Sequence, residues 1–229
     1  MDTNVSVIIP CYSYARYLDE AIQSVLDQTV KAHEIIVVSD GAIDNSVEIA
    51  RKYPVKIIEK VNGGLASARN AGIKEATGKY IMSFDSDDIL RPDCIKEHLK
   101  LADENTIVTC GLMAFGKISY TARPEVATLE ILMKRNCVYS NSLFPKTLWE
   151  KIGGFDESEV MRLGLEDHLF WKECAAIGSH FKTSSYIGLL WRRHNNAMSE
   201  TSANPNWDTI TKFMNEKMKN KYGLDNPTI

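Results

Sequence analysis

The chain has 229 residues, 44% of them hydrophobic and 25% charged, the composition of a globular protein with material for a substantial core. A formal charge of −3 and a pI near 6.0 exclude a general electrostatic attraction to nucleic acid, so partners must be argued from local sites. Cys11, Cys94, Cys110, Cys137 and Cys174 are odd in number, scattered and never in a C-x-x-C pair. That pattern speaks against a disulfide framework or a zinc knuckle and for a reducing cytoplasm.

The amino end enters an apolar strand without a basic leader, and no apolar run approaches the roughly 20 residues that span a bilayer. Neither a signal peptide nor a membrane span is expected. Val5 to Ile9 is a β-branched run closed by Pro10, and Leu18, Ile22, Val25 and Leu26 then recur at helical spacing. The alternation continues with a strand at Ile35 to Val38, a helix near Ser46 to Tyr53 and a strand at Val55 to Ile58. A helix near Leu65 to Ala76 and a strand at Tyr80 to Phe84 follow. Strands interleaved with helices in this way predict an α/β fold with a mostly parallel sheet covered on both faces. Past a helix at Asp93 to Asp103 the pattern loosens, with short strands near Ile107 and Leu143, a helix at Glu166 to Ala176 and a strand at Ile187 to Trp191. No repeat or linker divides the chain, so residues 1–229 read as a single domain: a nucleotide-binding half to about 105, an acceptor half to about 204 and a C-terminal amphipathic helix.

In parallel sheets ligands collect where loops leave the carboxyl ends of strands. Two such loops are acidic, Ser39-Asp40-Gly41-Ala42-Ile43-Asp44 and Asp85-Ser86-Asp87-Asp88. Clustered carboxylates repel unless a cation or donors compensate, and Mg2+ or Mn2+ takes oxygen ligands from one or two carboxylates plus water and phosphate. An isolated D-x-D equally fits a helix cap or a polar turn. An EF-hand is excluded, because the sixth position counted from Asp85 is Leu90 and the twelfth is Lys96.

Together, Val7 to Tyr12, Ser24 to Thr29, Glu34 to Gly41, Ala68 to Gly72 and Asp85 to Asp88 resemble family 2 glycosyltransferases of the GT-A fold. Gly153-Gly154-Phe155-Asp156, Glu166-Asp167 and Arg193-His194 follow in the family's order, and the likeness spans roughly residues 4 to 199. The resemblance implies a nucleotide-diphosphate sugar donor, foremost a UDP-sugar, a divalent cation and transfer with inversion to a saccharide, lipid-linked or other hydroxyl acceptor.

It implies roles for named residues, each of which has a plainer reading. Tyr12, beside Pro10, would stack on the base, or be a core-edge aromatic; Asp40 would accept from the base, or cap a helix. Arg69 would contact nucleotide or phosphate, or pair at the surface. Asp87 would ligate the metal with His194, Asp85 would reach the ribose or support the ligand, and Ser86 and Asp88 would assist. Asp167 would be the base that deprotonates the acceptor, or simply favour a helix start. Asp156 and Glu166 would shape the acceptor side, with Ser199 a further contact.

Ser13, Ser39 and Ala42-Ile43 depart from the family's usual Asn, Asp and Ser-Thr, removing hydrogen-bonding groups near the nucleotide. Those departures keep open a non-catalytic nucleotide-sugar-binding module. A sugar-phosphate nucleotidyltransferase is disfavoured, because Pro10-Cys11-Tyr12-Ser13 cannot form a glycine-rich phosphate cradle. In the tail Ile210, Met214 and Met218 form one stripe among lysines, suited to packing on the domain or, alternatively, to peripheral membrane contact.

Overall fold

A computed structural model describes residues 3–195 and 197–225, without the side chains of Ser199 and Glu200, so the contact expected of Ser199 falls outside the described residues. The first half follows the predicted alternation: β1 (Val5–Cys11), α1 (Ala15–Leu26), β2 (Glu34–Asp40), α2 (Ser46–Ala50), β3 (Lys56–Lys60), α3 (Leu65–Glu75) and β4 (Tyr80–Ser83). β3, β2, β1 and β4 lie side by side in that order, all parallel.

Successive side chains of a strand point to opposite faces, and β1 and β2 supply both layers of the core. Val5, Val7, Ile9, Ile35 and Val37 pack with Leu18, Ile22 and Val25 of α1. Ile8, Ile36 and Val38 pack with Ala66, Ala68 and Ile73 of α3. Gly72 sits inside α3 despite its helix cost because a Cβ there would fall 2.4 Å from Ile8 Cγ2.

Pro10 does not close β1; the strand runs on to Cys11, paired with Ser39. The carbonyl of Ile8 accepts from Phe84 N, so Ile8 and, two residues on, Pro10 turn their backbone toward the β4 side. β4 ends at Ser83, so the missing N–H of Pro10 faces a gap with no ladder to break. The cleft opens at that gap.

The second half continues the sheet with mixed direction: β5 (Ile89–Leu90), α4 (Cys94–Leu99), β6 (Thr106–Gly116), β7 (Tyr120–Ala122), α5 (Leu129–Lys134), β8 (Leu143–Pro145), α6 (Lys146–Ile152), α7 (Glu166–Ala176) and β9 (His180–Arg193). Among the described residues the sheet has nine strands in the order β3-β2-β1-β4-β8-β6-β9-β5, with β7 paired to β6. β9 is far longer than the strand expected at Ile187 to Trp191, because it pairs in parallel with β6 along its length, through register shifts on either side of Gly111.

The C-terminal helix α8 (Trp207–Tyr222) buries Ile210, Met214 and Met218 completely against Met133, Met161 and Leu169. This corrects the alternative of a membrane-lying helix: the stripe that would enter a bilayer is already inside the protein. No helix among the described residues is long and apolar enough to cross a membrane.

Met214→Ala should therefore destabilise the fold by about 2–5 kcal/mol, read from a urea transition at unchanged slope. α7 supplies a second test. Lys172 is fully buried with no hydrogen-bond partner among the described residues, and burial pushes its pKa from 10.5 down to about 8. Between those values the unfolded chain holds the proton and the folded chain does not, so stability rises with pH across that window. Below it both states are protonated and the burial cost is felt in full. Lys172→Met should raise stability at pH 7 by on the order of 3 kcal/mol and abolish the alkaline rise.

Candidate functional site

A cleft of about 680 Å³ opens at the carboxyl ends of β1, β2 and β4, lined by Pro10, Tyr12, Asp40, Arg69, Asp85, Ser86, Asp87, Glu166 and Asp167 among others. The acidic turn leaves β4 and is held from behind by the end of β9. Arg192 Nε donates to the carbonyl of Asp87 and Arg192 N to Asp88 Oδ1, both at 2.8 Å. His194 Nε2 meets Asp87 Oδ2 at 2.9 Å, and its ring is wedged between Tyr14 and Tyr17.

Burial pushes the Asp87 carboxyl above the usual carboxylate range and the charge of Asp85 adds to the push, while His194 opposes both. Asp88 is driven up further by complete burial and by Asp87 and Asp85, against the backbone bond from Arg192. A turn with surplus negative potential is one a cation would relieve. The donors fit an ion: adjacent ligands of a six-coordinate cation with arms of about 2.1 Å lie about 3 Å apart, the spacing of Asp87 Oδ2 and His194 Nε2. A carboxylate with an imidazole suits Mn2+ at least as well as Mg2+.

Arg69, on α3, is 2% exposed and spends its guanidinium on the protein itself. Nε donates to Ser83 Oγ at 2.8 Å, Nη2 to Asp85 Oδ1 at 2.7 Å and Nη1 to Glu166 Oε1. Arg69 lines the cleft as expected and also braces the acidic turn against α7. Its depth explains the brace, since a buried guanidinium must be matched by fixed carboxylates. Glu166, 2% exposed, is likewise spent on Arg69 and lies under the acceptor side.

Asp167, the next residue, turns into the cleft. Its Oδ1 accepts from His168 N at 2.7 Å and Oδ2 from Asn136 Nδ2 at 3.3 Å. Burial raises its pKa; the Arg69 charge pulls it back, and Asp85 pushes it up again. Leu165, directly before Glu166 and Asp167, takes a left-handed backbone at φ 63°, costly for a branched side chain.

Asp40 is 3% exposed. Its Oδ1 accepts from Lys60 Nζ at 2.7 Å and Gly63 N at 2.9 Å, and Oδ2 from Gly64 N at 2.8 Å, which folds the Asn62-Gly63-Gly64 loop over it. With two lone pairs per oxygen, Oδ2 keeps one for a ligand. Tyr12 is half-exposed at the rim.

Comparison with known proteins bears on this arrangement. The model described as Glycosyl transferase family 2 matches residues 6–164, well over half of the chain. The chain belongs to glycosyl transferase family 2. An uncharacterized glycosyltransferase of Rickettsia prowazekii is 38% identical over 174 residues, covering 67% of this chain and 54% of its own. The chondroitin synthase of Pasteurella multocida is 44% identical over 105 residues, 42% of this chain and 11% of that enzyme. The chain thus spans about half the length of the Rickettsia relative and a small part of the synthase. S. aureus TarS 1–349 in complex with UDP-GlcNAc superposes with a TM-score of 0.79 at 20% identity, over 97% of this chain and 68% of that one, which gives the GT-A fold.

Within this family 2 domain two expected residues are not among those that line the cleft: His194, which reaches it only through Asp87, and Asp156. Asp156 does not line the cleft; its Oδ1 accepts from Ser158 N at 2.8 Å and its Oδ2 pairs with Lys217 of α8. A basic helix packs where an acceptor pocket was expected, and its lysine takes the charge. Conversely, Asn136, Tyr139, Trp191, Arg162, Ala197, Met198, Thr201, Ser202 and Ala203 line the cleft without any motif to mark them. Arg162 donates to Asn62 Oδ1 at 2.9 Å.

Arg69→Met should leave Glu166 as an unpaired buried charge and cost about 3–5 kcal/mol in chemical denaturation. The double variant Arg69→Met/Glu166→Met should recover part of that loss, a coupling that a surface pair would not show.

Proposed function

We propose that this domain transfers a sugar from a nucleotide-diphosphate donor, foremost a UDP-sugar, to an acceptor hydroxyl with inversion at the anomeric carbon. The observation that carries the reading is that Asp167 and the Asp85-Ser86-Asp87 turn share the walls of one cleft, with Arg69 fixed between them. The half-exposed Tyr12 ring offers a stacking face for the base. The remaining lone pair of Asp40 Oδ2 suits a ring N–H.

Asp87 and His194 would hold the divalent cation, which would offset the charge on the departing diphosphate. The GDP-Man and Mn2+ complex of a Pyrobaculum calidifontis mannosyltransferase of related fold, with a TM-score of 0.65, supports such a cation here. TarS bound to UDP-GlcNAc and to UDP supports uridine as the base. Likeness to the chondroitin and hyaluronan synthases of Pasteurella multocida supports a role in polysaccharide or glycoconjugate synthesis.

Asp167 Oδ2 takes the proton of the acceptor hydroxyl as that oxygen attacks the anomeric carbon from the face opposite the diphosphate. The new C–O bond forms as the bond to phosphate breaks, and the electron pair leaves with the phosphate oxygen. A single displacement inverts the centre and needs no covalent intermediate. The raised pKa of Asp167 makes it a stronger base than an exposed aspartate.

Asp167→Asn should bind UDP-sugar in calorimetry within about twofold of the parent protein while transfer falls about 10²–10⁴-fold. Transfer kept by this variant would remove Asp167 from the mechanism. Binding of UDP with no transfer by the parent against a broad acceptor panel would instead mark a binding module.

A further inference from the structure

Beyond the acidic turn, α4 carries Cys94 and His98 four residues apart, on one face, and β6 brings Cys110 against them. One ligand-capable atom from each of the three lies within 4.8 Å of the other two, and all three side chains are fully buried. Cys94 and His98 share one helix while Cys110 arrives from a strand, so the absence of a C-x-x-C pair says nothing about this cluster.

Three further features converge on it. His98 Nδ1 lies 2.7 Å from the carbonyl of Cys94 and 3.6 Å from its Sγ, and donation to that carbonyl leaves the lone pair on Nε2, which is buried without a hydrogen-bond partner. An imidazole anchored through one nitrogen by a backbone carbonyl, with the other free, is how metal-ligating histidines are held. Asn141 Nδ2 lies 3.3 Å from Cys110 Sγ and 3.7 Å from Cys94 Sγ, while its Oδ1 is buried and unpartnered. A half-turn of that amide sets the oxygen toward the sulfurs. On β9, a Cβ at Gly188 would fall 2.7 Å from Cys110 Sγ and 2.9 Å from Cys94 Sγ, so only glycine leaves both sulfurs room side by side.

Charge selects the occupant. Two thiolates neutralise a divalent cation, and a neutral unit is what an apolar interior accepts without a Born penalty. Two sulfurs, an imidazole and an amide oxygen match zinc, not the hard ions suited to the acidic turn.

We propose that Cys94, His98 and Cys110, with Asn141 as fourth ligand, bind a structural zinc ion that ties α4 to β6 behind the acidic turn. Two S–H bonds break and two Zn–S bonds form, with both protons going to solvent. Because the site is closed, the ion enters as the chain folds.

The full chain, expressed with zinc and washed with EDTA to strip exposed sites, should return about one zinc per molecule in elemental analysis. Cys94→Ser and Cys110→Ser should each lower that content at least about tenfold, while Asp87→Ala leaves it unchanged. Refolding the unaltered protein with Co2+ should give thiolate-to-cobalt charge transfer in the near ultraviolet and tetrahedral d–d bands, a readout that needs no variant to fold. Zinc below about a tenth of an equivalent together with no thiolate–cobalt band would overturn the site. A peptide disulfide joining Cys94 to Cys110 in the protein as isolated would also overturn it.

Discussion

Arg69 carries a full charge into the interior at 2% exposure, and a charge there persists only when the groups around it are fixed to receive it. Its partners come from three directions: Ser83 at the end of β4, Asp85 in the acidic turn and Glu166 at the start of α7. One side chain therefore sets the distance between the part of the cleft suited to a donor and the part that holds Asp167. The guanidinium fork suits this as an ammonium would not, because separate N–H groups point at each acceptor.

The same brace divides the labour of the acidic turn. Three carboxylates within four residues would repel one another, and each is given a different partner: Arg69 for Asp85, His194 for Asp87 and the backbone of Arg192 for Asp88. Asp87 is the one whose partner is an imidazole, which fits the cation site proposed for this pair. The D-x-D pattern announces a cluster; only the surroundings say which member is available.

That contrast runs through the whole chain. The first four strands and their helices are readable because apolar β-branched runs alternate with helical periodicity, and each loop there is short. Helix α7 is also readable to the residue, since Glu166 and Asp167 open it and its apolar run follows at once. The long parallel pairing of β6 with β9, by contrast, depends on partners about 75 residues apart and on a bulge that no local pattern encodes. Tyr12, Asp40, the acidic turn and Asp167 line the cleft because motif position fixes where a loop emerges. The protein partners of Arg69, Glu166 and Asp156 are not legible, because what a charged side chain touches is decided by packing, which for Asp156 is the arrival of α8. The Cys94, His98 and Cys110 cluster is invisible to spacing rules for the same reason: two elements must meet before it exists.

The role proposed for Asp167 calls for a helix held in place, and α7 is fastened at both ends. At its start Glu166 is locked by Arg69. Toward its end the buried Glu173 receives Lys221 Nζ at 2.8 Å, with Lys217 at 3.9 Å, both from α8. α8 also buries its three apolar residues beside Leu169 of α7, so hydrophobic and ionic contacts act on the same helix face. A carboxylate meant to meet an incoming hydroxyl must be held to within a fraction of an ångström, and a helix pinned by a buried ion pair at one end and a packed helix at the other meets that demand better than a loop. The lysines of α8, read by themselves as a membrane-facing charge, are in this fold the clamp that steadies the proposed base.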